Sequence, residues 1–162
     1  MFNKYTKIIL AGVILTSAGY SADVNTQKNI GLSVANQITA AAVASCAAKG
    51  YNVTATVVDR AGLIVNVLRA DNAGPHTLDS AFRKAFTSAS MKIPSAVLDK
   101  NSKNPESANV KDINLLLALP GGLPIKVGAE TIGAVGVGGA PSGNIDEDCA
   151  KDGLTKVASL LK

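Results

Sequence analysis

Residues 53–58 (VTATVV) and 63–68 (LIVNVL) are two β-prone runs separated only by Asp59-Arg60-Ala61-Gly62. A four-residue link with glycine in the tight position makes them an antiparallel hairpin, since parallel strands need a crossover of a dozen residues or more. That hairpin excludes a doubly wound sheet at this point in the chain and asks for helices packed on an antiparallel sheet.

The segments around it have helical periodicity. Ile30, Val34, Ile38, Ala42 and Cys46 recur every fourth residue, which predicts a helix over 26–49 with Thr26 as N-cap and Gly50 as stop. After the Asp71-Asn72-Ala73-Gly74-Pro75 loop, a second helix is expected over 77–91, ended by Pro94. Residues 95–112 are polar and read as a surface loop with one short helix. Three further strands are expected at 113–119, 123–127 and 131–137, followed by a helix from Asn144 to Leu161 with Glu147 closing a capping box. The fold class is α+β, with hairpin-length links throughout.

At the start, Lys4 and Lys7 precede an uncharged run over 8–19, and Gly19 and Ser21 offer small residues before Ala22. This is the pattern of a cleaved signal peptide over 1–21, leaving one domain over 22–162 for the periplasm or the exterior. The run is about 12 residues, and roughly 20 are needed to span a bilayer. Cleavage takes away two lysines and no acids, so the formal charge falls from +4 to +2. The remaining aromatics are Tyr51, Phe82 and Phe86, and no basic face interleaved with aromatics suggests nucleic acid.

Other motifs are absent or structural. The glycine-rich stretch 133–143 lacks a phosphate-loop pattern and reads as a tightly packed strand and turn. Asp146-Glu147-Asp148 reads as acids in a helix first turn. One histidine and two cysteines are poor material for zinc. Ser80 near His76, with Asp71 or Asp79 close by, lacks the elbow of a hydrolase nucleophile.

Val57-Val58-Asp59, Arg69-Ala70-Asp71-Asn72-Ala73-Gly74-Pro75, Arg83-Lys84-Ala85-Phe86-Thr87 and Gly121-Gly122-Leu123-Pro124-Ile125 together resemble the GlcG/HbpS family, which includes the C-terminal domain of PduO. Residues 133–143 and Asp146-Glu147-Asp148-Cys149-Ala150 continue the likeness. The resemblance implies a profilin-like, five-stranded antiparallel sheet with packed helices and assembly into a homo-oligomer. In that fold the first and last helices share one face, so Cys46 and Cys149 are either bridged or two buried thiols. The resemblance further implies haem as ligand, with a membrane sensor or transport protein as partner.

Haem iron takes an axial ligand from His, Cys, Met or Tyr in most proteins. No C-x-x-C-H occurs, so the expected cofactor is haem b held non-covalently. His76, the only histidine, is the expected ligand, with Thr87 and Met91 in reserve. Arg69, Arg83 and Lys84 could meet the propionates, and Phe82 and Phe86 the ring. Whether the protein is an enzyme stays open. Two other readings use the same residues: proton transfer by His76 on a carboxylated metabolite, and a structural oligomer with a vestigial pocket.

Overall fold

The computed structural model describes residues 25–162, so the expected leader and its cleavage point lie outside the described residues. Helix α1 (Leu32–Ala48) leads into β1 (Thr54–Asp59) and β2 (Ile64–Arg69). Helix α2 (His76–Met91), the short α3 (Ser95–Asn101) and a 3-10 segment (Pro105–Asp112) follow. The chain ends with β3 (Gly122–Val127), β4 (Glu130–Gly138), helix α4 (Gly143–Lys156) and a 3-10 turn (Ala158–Leu160). Among the described residues no helix is long and apolar enough to cross a membrane.

The sheet is antiparallel, in the order β2-β1-β4-β3, and has four strands where five were expected. Residues 113–119 form no strand, because side chains of the neighbouring helices take their backbone groups. Arg83 donates to the Leu116 carbonyl at 2.8 Å, Thr87 Oγ1 accepts from the Leu117 amide at 2.8 Å, and Ser95 Oγ donates to the Leu119 carbonyl at 2.7 Å. Leu115 adopts φ +67°, which no ladder permits. The segment is therefore a strap tied to α2 and α3. Its strand propensity loses to specific tertiary hydrogen bonds.

Register places alternate residues on two layers. Ala55, Val57, Val135 and Val137 face α1 and α4 and form the main core with Ile38, Ala42 and Ile125. Thr54, Thr56, Val58, Ala134 and Gly136 face α2. Cys46 of α1 and Cys149 of α4 are joined by a disulfide with their Cα atoms 5.6 Å apart, which staples the two helices on their shared face.

Helix boundaries differ from expectation at two capped ends. α1 begins at Leu32 with Gly31 as N-cap, not at Thr26. α4 is capped by Ser142, whose hydroxyl accepts from the Ile145 amide, not by Asn144, and Glu147 pairs along the helix with Lys151 at 3.1 Å instead of reaching back.

Helix α2 lies directly on the β4 backbone. A Cβ built at Gly136 would sit 2.2 Å from the Ala81 carbonyl oxygen and 2.5 Å from the Ala85 amide nitrogen. Both clashes are with backbone, which cannot rotate away. Gly136→Ala should therefore destabilise by about 3 kcal/mol or more, at the upper end of overpacking costs. Urea unfolding would measure it, and a loss under about 1 kcal/mol would show that α2 can lift off the sheet.

Candidate functional site

The α2 layer does not cover the whole sheet. The helix packs on β4, β1 and β3 and barely touches β2. Because Ile64, Val67 and Arg69 are paired with Val58, Thr56 and Thr54, they share the face on which α2 sits. With no helix above them, Ile64 is 55% and Val67 38% exposed. A trough results, open to solvent, with the β2 face on one side and the flank of α2 on the other.

Aromatic side chains line that flank. Phe82 packs on Val58, Ala85, Ala89 and Ala134, and its ring centroid is 6.0 Å from that of Phe86 at a 53° tilt. Phe86 lies against the hairpin turn, where Gly62 at φ +82° leaves room: a Cβ there would meet the ring at 2.7 Å. Leu78, 44% exposed, continues the α2 flank toward the helix start.

The β2-to-α2 corner closes one end of the trough. Arg69 donates to the Ala73 carbonyl, and the His76 imidazole folds back over Gly74, where a Cβ would come within 2.6 Å of its Cε1. Thr77 fixes the helix start by donating to the Gly74 carbonyl at 2.6 Å and meeting the Thr54 hydroxyl at 2.7 Å. His76 and Arg69 are thus solvent-exposed side chains on an anchored backbone.

The other residues singled out in the sequence fall elsewhere. Arg83 leaves α2 on the strap side, held by Leu116 and, at 3.7 Å, by Asp79. Thr87 is fully buried and serves the strap, donating to the Arg83 carbonyl. Lys84 is 1% exposed: its Nζ reaches Asp146 Oδ2 at 2.7 Å and donates to the Val137 carbonyl at 2.9 Å. A lysine so enclosed has no access to a ligand carboxylate. Asp146, expected as a first-turn acid, turns inward instead and also accepts from the Ala140 amide at 3.0 Å. Burial holds its carboxyl above the usual range despite the opposing pull of Lys84.

The cysteines are spent in their disulfide, and Tyr51 is half-buried against the main core. Met91 is 37% exposed, at the far end of α2. Among the described residues no group of three or more His, Cys, Asp or Glu gathers as a metal cage. Sequence reading missed Ile64, Val67 and Leu78 as part of the site. The strand run itself was visible, but nothing in it says that its outer face lacks a helix.

A four-stranded antiparallel sheet with helices on both faces, and an open apolar face beside α2 that ends near one histidine and one arginine, makes this an α+β domain. A family model described as "Haem degrading protein HbpS-like" matches residues 30–155. The chain belongs to this HbpS-like family. It is similar in structure to a double mutant of HbpS from Streptomyces reticuli, with 33% identity and a TM-score of 0.79 over 94% of this chain and 97% of that one. It is likewise similar to the Klebsiella pneumoniae protein ORFY, with 25% identity and a TM-score of 0.81 over 86% and 97% of the two chains. The PduOC:haem complex shares the fold at 22% identity, with a TM-score of 0.71 over 79% and 94%. No curated protein sequence matches the chain.

Proposed function

We propose that this chain is an exported haem-binding protein that holds haem b non-covalently in the trough between β2 and α2. The observation that carries the reading is the corner itself. The only histidine of the chain folds over Gly74 and an exposed arginine holds the adjacent Ala73 carbonyl, near an apolar strip built from Ile64, Val67, Phe82 and Phe86. That donor set fits haem: imidazole for iron, guanidinium for a propionate, and apolar and aromatic surface for the macrocycle. Membership of a family described as haem-degrading, and the likeness of fold to a haem complex, support it.

His76 would provide the axial ligand and Arg69 the propionate contact. Bound haem supplies an iron centre open to ligand exchange and redox chemistry. The chain's own contribution is to seat the ring, orient the imidazole and keep water from the apolar face. Export, read from the leader, puts such a site where external haem is first met. An open trough also suits a protein that passes its ligand to a membrane sensor or transporter, or that closes the trough against a second copy of itself.

Hemin titration of the purified protein should give a saturable Soret shift, and His76→Ala should weaken binding by about tenfold or more, the scale on which the loss of a metal-site contact is felt. No saturable shift, or a spectrum and affinity unchanged in His76→Ala, would refute the assignment. A Soret band that forms and then decays would mark breakdown of the bound haem rather than storage.

A further inference from the structure

Sheet order puts β2 and β3 at opposite edges, so the β3 edge is remote from the trough. Two clefts of about 330 and 380 Å³ lie there, against β3 and the C-terminal turn. Each is comparable in volume to a small-ligand site, though shallow and open to solvent. The first has a floor of Ile30, Val34, Val127 and Ile132. The second is walled by Pro124, Ile125, Leu154 and Ala158. Leu161 lines both, so the two clefts adjoin at that side chain.

The ionisable side chains along the groove are all lysines: Lys28 and Lys162 at the first cleft, Lys126 at the second. Glu130, which senses Lys28, is engaged by Arg60 at 2.6 Å, and that bond holds its carboxyl below the usual range. Apolar floor with a lysine-lined rim is complementary to an amphipathic anion. An apolar surface divided between two clefts that meet at Leu161 suits a flexible chain, which can turn past that side chain, better than a rigid plate. No histidine, methionine, cysteine or tyrosine lines it, so it offers no iron ligand.

We infer that the β3-edge groove is a second binding site, for an unbranched aliphatic carboxylate, with the alkyl chain on Ile30, Ile132 and Leu154 and the carboxylate among the lysines. This site is independent of the haem reading and shares no residue with the trough.

Titrating the full chain with octanoate, decanoate and laurate, followed by amide NMR shifts and calorimetry, tests it. Affinity should rise about fourfold per added methylene, as burial of each CH₂ implies, with shifts centred on residues 124–132 and 154–162. Lys28→Glu with Lys126→Glu should weaken laurate binding at least tenfold while leaving any hemin response intact, and both lysines are exposed enough for the variant to fold. Leu161→Trp should block the groove by filling it. His76→Ala should leave laurate binding unchanged. Absence of saturable binding, indifference to chain length, survival of binding in the double glutamate variant, or displacement of laurate by a tighter-binding metal-free porphyrin would overturn the inference.

Discussion

Replacing Lys84 with methionine is expected to lower stability at neutral pH by about 3–5 kcal/mol, the range seen when one partner of a buried ion pair is removed. Methionine keeps most of the side-chain volume, so the loss comes from charge and not from a cavity. Lys84 and Asp146 are 1% and 2% exposed, and the bond between them ties α2 to α4 past the end of the sheet. Gly121 leaves the passage open there: a Cβ at that position, where φ is +122°, would lie 3.0 Å from Lys84 Nζ and 2.9 Å from Asp146 Cβ. Without the lysine, Asp146 keeps the Ala140 amide but loses its counter-charge in a dry site.

The pH dependence of this variant identifies the cause. In the folded protein the Asp146 carboxyl is already raised, because burial outweighs the attraction and hydrogen bond of Lys84. A group with a raised folded pKa binds its proton more readily when folded. Its stabilising contribution is complete below its unfolded pKa and is lost as pH rises through the folded value. Lys84→Met removes the two largest influences that pull downward and leaves burial opposed only by the backbone amides of Ala140 and Gly139, so the folded pKa climbs further. The deficit relative to the parent should therefore shrink on acidification from about pH 7 toward about pH 4, where the buried carboxyl can protonate. Adding Asp146→Asn to Lys84→Met should recover much of the loss at neutral pH and flatten its pH dependence. Guanidinium unfolding at several pH values checks both, and equal instability of the single and double variants would show that the buried charge is not the cause.

The elements that proved legible in the sequence are those whose signal is local. The Asp59-to-Gly62 turn stands where the hairpin was expected: Asp59 Oδ1 accepts from the Ala61 and Leu63 amides at 2.8 and 2.9 Å, and Gly62 supplies the positive φ. The phase of α2 is likewise a short-range fact. What escaped depends on partners far along the chain. Residues 113–119 have every local mark of a strand, and only the placement of Arg83, Thr87 and Ser95 turns them into a strap.

The Lys84–Asp146 pair spans 62 residues, and nothing short-range announces it. One signal was available: Lys84 shares a helical stripe with Thr77, Ala81 and Ser88, all of them buried. A lysine in the phase of buried residues asks for a buried acid. The open face of β2 had no comparable mark, because a run such as 63–68, apolar except at Asn66, reads as a covered strand, and its place at the sheet edge is a property of the whole fold.

Converting Cys46 and Cys149 together to alanine is expected to lower the melting temperature by about 10 °C, a stability loss of about 2–5 kcal/mol. The bridge closes a loop with a sequence separation of 103 residues, and in the chain-entropy picture a loop of that length loses close to 5 kcal/mol of denatured-state freedom. Packing adds a smaller cost, since both sulfurs are fully buried where α1 meets α4 and each alanine leaves a small void. Reductant separates the two contributions. The parent should melt lower in excess dithiothreitol, while the double alanine variant, with no bond to break, should melt at the same temperature with and without it. Intact mass of the parent should rise by about 2 Da on reduction, as opening one disulfide adds two hydrogens. Reduction should also be slow under native conditions, because the sulfurs are reached only when α1 and α4 part. If reduced and oxidised parent melt together, the helix layer is held by its other contacts, including those of Ser45 and Lys49 to Asp152, and the staple contributes nothing to stability.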